Sequence, residues 1–287
     1  MTHAPARPFA APWSDAGRLK GTKGTISVRA PGNLVPLSAI AAVLFLLAAP
    51  AAAQTVAPVP AAIRAEFDLP PRAYAKYLDA GGIPVLGSAA VGDAALQKAR
   101  ANVLTLLATR PGVAARLRSQ RVRVVILARG ETVGAIPEYR AAFPDRSLDK
   151  RFWGGFGATP TLPIVAGTEA NLIDGQNDEN VFVHEFAHTV AEMALAADPA
   201  FAKGLTAAWT HARKARLWAN TYAGSSRDEY WAEGVQAYFD VNREGPPGGD
   251  GVHNDRNTRA ELRAYDPLLF ALIDRVYRGA TLRDAAD

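Results

Sequence analysis

Two histidines and a glutamate form the segment with the clearest chemistry. His184, Glu185 and His188 follow the pattern His-Glu-x-x-His within the letters HEFAH. On an α-helix, residues four apart lie on one face, so both imidazoles can reach the same ion. Glu185 can then face an open coordination position, take a proton from an attacking water and return it to the leaving amine. Two imidazoles, a carboxylate and an open position form a catalytic Zn²⁺ set, so the segment predicts zinc as the cofactor.

The residues around this segment decide between a metal centre and an accidental match. A helix is predicted over residues 179–197, with Asp178 as its N-cap and Asp198-Pro199 as its end. The flanking side chains are apolar: Val181, Phe182, Val183, Phe186, Val190 and Met193. A buried His-Glu-x-x-His without a metal would leave three polar groups unsatisfied, at roughly 1–3 kcal/mol each. The apolar flanks therefore favour a metal centre.

A third protein ligand is expected downstream. The metzincin arrangement is absent, because Ala191 and Ala194 stand where that motif has glycine and histidine. A second predicted helix, residues 228–239, carries Glu229 and Glu233 four apart on one face. One of them can ligate the metal while the other supports a liganding histidine. Aromatic residues crowd the same segment, which disfavours the alternative of a solvated acidic face.

The combination of these motifs resembles a known family. Tyr222 lies seven residues before Glu229, the first residue of the run Glu-Tyr-Trp-Ala-Glu. Together with HEFAH, this spacing resembles the gluzincin zinc metallopeptidases, especially the catalytic domain of anthrax lethal factor, over roughly residues 180–240. The resemblance implies three zinc ligands, namely His184, His188 and Glu229. It also implies Glu185 as general base, Tyr222 as the hydrogen-bond donor to the oxyanion, and Glu233 as the acid that supports a ligand.

Three side chains are judged from their local sequence alone. Tyr222 lies in a polar loop, residues 220–226, where a tyrosine often packs with its hydroxyl at the surface. A loop that leads into the ligand helix is also where an oxyanion donor would be presented. His211 lies on a basic helical stretch, and His253 lies in a loop rich in Gly, Pro and Asp, residues 244–257. Both histidines are expected at the surface.

The N-terminus reads as an export signal. Basic residues precede an apolar run, residues 34–49, which is followed by Pro50 and the small residues Ala51–Ala53. This order predicts a signal peptide over residues 1–53, cleaved after Ala53, and a periplasmic or secreted protein. The alternative is a retained membrane anchor, which the short apolar run disfavours because a bilayer span needs about 20 residues.

Charge and cysteine content exclude several classes of function. The chain has 32 basic and 28 acidic residues, and residues 1–53 hold five basic and one acidic. The remainder therefore carries 27 of each and no formal net charge, which gives no indication of a nucleic-acid partner. The absence of cysteine excludes disulfides, thiol nucleophiles and Cys-type zinc sites.

The remaining pattern predicts an α+β fold. Residues 54–66 are expected to be a flexible linker, and residues 67–287 a single zincin-like catalytic domain. Its first part, residues 67–170, is expected to be mixed α/β, and residues 171–287 mainly helical. The predicted elements are strands at 83–86, 122–127 and 162–166 and a helix at 93–108, with a Gly- and aromatic-rich loop at 152–161 that could line a cleft.

These features predict an exported zinc peptidase that acts on peptide or protein substrates and contacts a membrane only if its signal is retained. Two alternatives stay open. One is a non-catalytic, zinc-stabilised binding module, which the presence of Glu185 disfavours. The other is a zinc amidase that acts on non-peptide or cell-wall amides, because activation of water by zinc serves both reactions.

Overall fold

The computed structural model describes residues 54–145 and 154–282, so the predicted signal peptide lies outside the described residues. Within these ranges the fold is α+β, with a six-stranded sheet followed by helices. The strands are β1 (Ala57–Pro58), β2 (Lys76–Asp79), β3 (Pro84–Gly87), β4 (Arg123–Leu127), β5 (Gly155–Phe156) and β6 (Ile164–Thr168). The α-helices are α1 (Ala61–Phe67), α2 (Asp93–Leu107), α3 (Pro111–Ser119), α4 (Pro137–Ala142), α5 (Glu169–Asp174), α6 (Val181–Thr189), α7 (Pro199–Ala215), α8 (Arg227–Tyr238), α9 (Arg259–Tyr265) and α10 (Pro267–Tyr277).

The strand order is β1-β2-β3-β4-β6-β5. Strands β3, β4 and β6 are parallel, whereas β2 runs antiparallel to β3. A parallel pair needs a long crossover, and α2 and α3 supply it between β3 and β4. Strand β5 pairs antiparallel with β6, with Gly155 opposite Gly167 and Phe156 opposite Ala166. Among the described residues, it is the last strand at one end of the sheet.

Both faces of the central strands are buried. Val124 and Ile126 of β4 belong to a core that includes side chains of α2, α3 and α6. Val125 and Leu127 face a second core with residues of α1 and α4. This two-sided burial explains the continuous apolar run that predicts β4 from the sequence.

The prediction of a flexible linker over residues 54–66 is wrong. This segment contains β1, which pairs with β2, and most of α1. Val59 and Phe67 are buried in the second core, and Ile63 packs against it. Ile63 and Phe67, four residues apart, lie on one face of the short helix α1. This spacing is difficult to recognise in a segment rich in Ala and Pro.

The histidine-bearing helix begins and ends differently from the prediction. Asn180, not Asp178, caps α6, because its side chain accepts a hydrogen bond from the Val183 N–H. Asp178 cannot serve as the cap because it belongs to a preceding 3₁₀ turn, Gln176–Asp178, and has φ 57°. Beyond α6 the chain continues as a π-helix, Val190–Leu195. Asp198, predicted to end the helix, caps α7.

The C-terminal helices hold α8 in place. The hydroxyl of Tyr230 donates to Asp266 Oδ2 at 2.6 Å, and the indole N–H of Trp218 donates to the same oxygen at 3.0 Å. Asp266 also caps α10, so one buried carboxylate connects α8 to the next helices. Among the described residues, none of the helices is long and apolar enough to cross a membrane.

Candidate metal centre

The centre lies where α6 packs against α8. His184 and His188 occupy one face of α6, with ring centroids 4.7 Å apart. Glu229 lies in the first turn of α8, where Ser226 caps the helix by accepting from the Glu229 N–H at 3.1 Å. The indole N–H of Trp231 donates to the Ala187 carbonyl at 3.0 Å, which joins the two helices beside the site.

Three ligand atoms meet at one point. His184 Nε2 lies 2.9 Å from Glu229 Oε2, and His188 Nε2 lies 3.0 Å from the same oxygen. The two Nε2 atoms are 3.0 Å apart. All three side chains are largely buried. The structure therefore brings together the three residues predicted as ligands, in an arrangement that could hold a metal ion.

Gln236 fixes the tautomer of His184. Its amide Nε2 donates to Glu179 Oε2 at 2.9 Å and to the Asn180 carbonyl at 3.3 Å, so its Oε1 faces His184 Nδ1 at 2.8 Å. Nδ1 therefore carries the proton, and Nε2 of the neutral ring presents a lone pair to Glu229. Two acceptors at 2.9 Å repel unless a positive charge lies between them. The donor set thus fits a cation.

The surrounding charges favour that cation. Burial lowers the pKa of His184, but the carboxylates of Glu229 and Glu233 outweigh this effect and raise it well above the ordinary 6.5. The pKa of His188 is raised as well, because the Glu229 carboxylate outweighs the effect of burial. Burial raises the pKa of Glu229, but the two histidines hold it far below its usual range. Without a metal, protons on the imidazoles supply the positive charge.

Glu233 lies on the far side of His184 from Glu229. Its Oε1 is 3.3 Å from His184 Nδ1, and its Oε2 accepts from Asn242 Nδ2 at 3.1 Å. Gln236 makes the shorter contact to the same nitrogen and was missed from the sequence. It lies seven residues after Glu229 and three after Glu233, so all three share a helical face. That spacing was the signal that could have identified it.

Glu185 is half-buried beneath the edge strand. A Cβ atom on Gly155 would lie 2.5 Å from Glu185 Cγ, so only glycine allows β5 to pass this close. Burial raises the pKa of Glu185, whereas His184, His188 and a backbone hydrogen bond from Gly157 oppose the rise. The loop predicted to line a cleft thus contains a short strand that packs on Glu185, while its Phe152 lies outside the described residues.

Tyr222 lies against the ligands. Its hydroxyl donates to Glu229 Oε1 at 2.9 Å, and its ring stacks on His184 with centroids 6.1 Å apart. Its backbone N–H donates to the Val252 carbonyl at 2.7 Å. Burial and the Glu229 carboxylate raise the pKa of its hydroxyl, so the group is a neutral donor.

The other two histidines differ from each other. His211 is exposed on α7, as predicted. The prediction for His253 is wrong, because the side chain is buried at 4% exposure. Asp250 accepts from the backbone N–H groups of Val252 and His253 at 2.9 and 2.8 Å, and these bonds fold the loop over the ring. Composition indicated a solvated loop but could not show this tertiary packing.

Comparison with known proteins adds no relative: no protein-family model matches the chain, and no curated protein is significantly similar to it.

Proposed function

We propose that the chain is an exported zinc-dependent peptidase with a zincin-like catalytic domain. The observation that carries the proposal is the convergence of His184 Nε2, His188 Nε2 and Glu229 Oε2 at 2.9–3.0 Å, with Glu185 beside them. The export part rests on the signal-like order of residues 1–53 in the sequence. The zincin-like part is supported by α6 packing on β6, beside the antiparallel edge strand β5.

Each side chain has a role in this reaction. The three ligands would hold a zinc ion, which would supply Lewis acidity at the site. Glu185 would accept the proton of the attacking water and pass it to the leaving amine. The Tyr222 hydroxyl, which donates to Glu229 Oε1 at 2.9 Å in the structure, would turn from that carboxylate to donate its hydrogen bond to the developing oxyanion. Gln236 keeps His184 in the tautomer that binds metal.

The edge strand favours a peptide over other amides. Within the described ranges, strand β5 lies at one end of the sheet and packs directly on Glu185. An extended peptide can add to such an edge through main-chain hydrogen bonds, which would bring its backbone to the general base. This mode suits an extended polypeptide much better than a small or branched amide.

The direct test is cleavage of a proteome-derived peptide library by the zinc-loaded protein. We expect cleavage that is lost on treatment with a chelator and restored by added Zn²⁺. The H188A variant should cleave nothing, whereas H211A, which changes an exposed histidine, should behave like the wild type. A folded, zinc-loaded protein that leaves the whole library intact would refute the proposal.

A further inference from the structure

A second group of ligand-type side chains lies behind the candidate metal centre. Glu179 precedes α6, Glu233 belongs to α8, and His253 comes from the loop before α9. One atom of each, two carboxylate oxygens and a ring nitrogen, lie within 4.8 Å of one another. Glu233 and His253 are almost fully buried, at 3% and 4% exposure. Side chains from three separate parts of the chain thus meet in the interior.

His253 shows that this group is more than a cluster of acids. Within the part of the chain that the structure describes, neither of its ring nitrogens has a hydrogen-bond partner, and both are buried. Its position is fixed by main-chain contacts, since its N–H donates to Asp250 and its carbonyl accepts from the Asp250 N–H at 3.0 Å. A buried imidazole whose ring nitrogens make no hydrogen bond is costly, so its fixed position beside two carboxylates favours a bound ligand.

The contact between His253 and Glu179 is longer than a charged hydrogen bond. His253 Nε2 lies 3.4 Å from Glu179 Oε2, whereas a charged N–H···O bond is about 2.7–2.9 Å long. Around a tetrahedral ion with bonds of about 2.0–2.1 Å, neighbouring ligand atoms are about 3.3–3.4 Å apart. The observed separation therefore leaves room for an ion held by both atoms.

The charges point the same way. Glu179 and Glu233 place two carboxylates beside one imidazole, which favours a divalent cation, although Glu233 also faces His184 Nδ1 at 3.3 Å. Each carboxylate also accepts one hydrogen bond, from Gln236 Nε2 and Asn242 Nδ2 respectively, which orients it. Arg243 lines the same small pocket as Glu233 and His253, but its guanidinium pairs with Asp250 at 3.3 Å.

We propose that Glu179, Glu233 and His253 form a second site for a divalent transition-metal ion, distinct from the His184, His188 and Glu229 centre. One imidazole and two carboxylates suit Zn²⁺ or a neighbouring transition ion better than Ca²⁺, which takes six to eight oxygen ligands. The site goes beyond the proposed function because it needs no substrate. The site is also linked to the first centre, because Glu179 accepts a hydrogen bond from Gln236, whose Oε1 faces His184 Nδ1.

The test is the zinc stoichiometry of the chelator-stripped full chain, measured by titration calorimetry and by elemental analysis after dialysis. We expect two equivalents per chain in the wild type and one in H253Q and in E179Q. H188A should also fall to one, because it disrupts the first centre only. H211Q should keep two. Circular dichroism and thermal unfolding establish which variants fold. If H253Q does not fold, the stoichiometry of E179Q, which keeps side-chain size, decides the test.

One equivalent in the wild type would overturn the proposal, as would two in both folded variants, H253Q and E179Q. Anomalous diffraction at the zinc edge from wild-type crystals gives an independent readout: two peaks are expected, and a single peak at His184 and His188 contradicts the second site. The outcome is separable from the peptidase proposal. Two equivalents without peptide cleavage refute only the function, and cleavage with one equivalent refutes only the second site.

Discussion

His184 Nδ1 and Gln236 Oε1 lie 2.8 Å apart across the contact between α6 and α8. This hydrogen bond turns the opposite ring nitrogen of His184 toward His188 and Glu229 as a lone pair. The direction of one candidate ligand therefore depends on a side chain that does not itself face the ion. Partners of this kind are typically worth roughly 10- to 100-fold in metal affinity or activity.

Replacing Gln236 tests that dependence. We expect Q236L to lower zinc affinity at the first centre roughly 10- to 100-fold, because the Nδ1–H of His184 loses its acceptor. E233Q should have a smaller effect, since Glu233 lies farther from that nitrogen, at 3.3 Å. E229A should cost the most, because it removes a ligand. Competition with a chromogenic chelator gives the order, and Q97L, which changes an exposed glutamine on α2, is the control.

Removing the carboxylate of Glu185 separates binding from catalysis. We expect E185Q to fold and retain zinc while kcat falls roughly 10²- to 10⁴-fold, the usual contribution of a general base. E192Q, on an exposed position of the π-helix, should leave kcat unchanged. Near-normal turnover by E185Q would mean that another group accepts the proton.

Tyr222 should matter to turnover and little to metal binding. In Y222F the hydrogen bond to Glu229 is lost but the ring that stacks on His184 remains. We expect kcat/KM to fall roughly 10²- to 10³-fold, the cost of one oxyanion donor, with zinc affinity within a few-fold of wild type. If steady-state kinetics show an unchanged kcat/KM, Tyr222 only orients its ligand.

Gly155 should be intolerant of a side chain for reasons of space. A methyl group there would meet Glu185 Cγ at 2.5 Å and the Ala166 carbonyl at 2.9 Å, so the strand or the glutamate must move. A displacement of about 1 Å can cost roughly 10²-fold in rate, and we expect that loss in G155A. G112A is the matched control, because its methyl group would meet nothing within 4 Å. Equal activity of the two variants would show that β5 does not constrain the base.

The metal-free protein should be most stable in mildly acidic solution. The raised pKa values of His184 and His188 contribute stability below 6.5, which is lost as pH rises through the folded values. The lowered pKa of Glu229 contributes stability above pH 4.5, and this contribution is lost as the pH falls through the folded value. Both contributions coexist between these values. Calorimetry of chelator-treated protein should therefore show its highest Tm there, and a Tm that rises steadily to pH 8 would contradict the assignment.

The grouping of the candidate ligands could be predicted from the sequence because its signals are local. His184 and His188 sit four apart, as do Glu229 and Glu233, and helical geometry turns such spacing into shared faces. Strand β4 could be predicted for a similar reason, because a strand buried on both faces appears in the sequence as a continuous run of apolar, mostly β-branched residues. These elements carry their own pattern and need little tertiary information.

Contacts between distant segments could not be read in the same way. His253 is buried by hydrogen bonds to Asp250 and by packing that its loop composition does not reveal. Strand β5 has only two residues, too few to show a period, and it exists because β6 offers an edge. The helix within residues 54–66 was not predicted because the segment is rich in Ala and Pro. In each case long-range contacts determined the local structure.

The two helices that carry the ligands are distant in sequence, since 45 positions separate His184 from Glu229. An unfolded chain would have to close a loop of that length to present both side chains to one ion. A bound ion would therefore favour the native state, and at a thousand times its Kd it would add about 4 kcal/mol of stability. Taking up metal would then commit the newly folded chain to its native state and make it resistant to proteases that cut transiently opened segments.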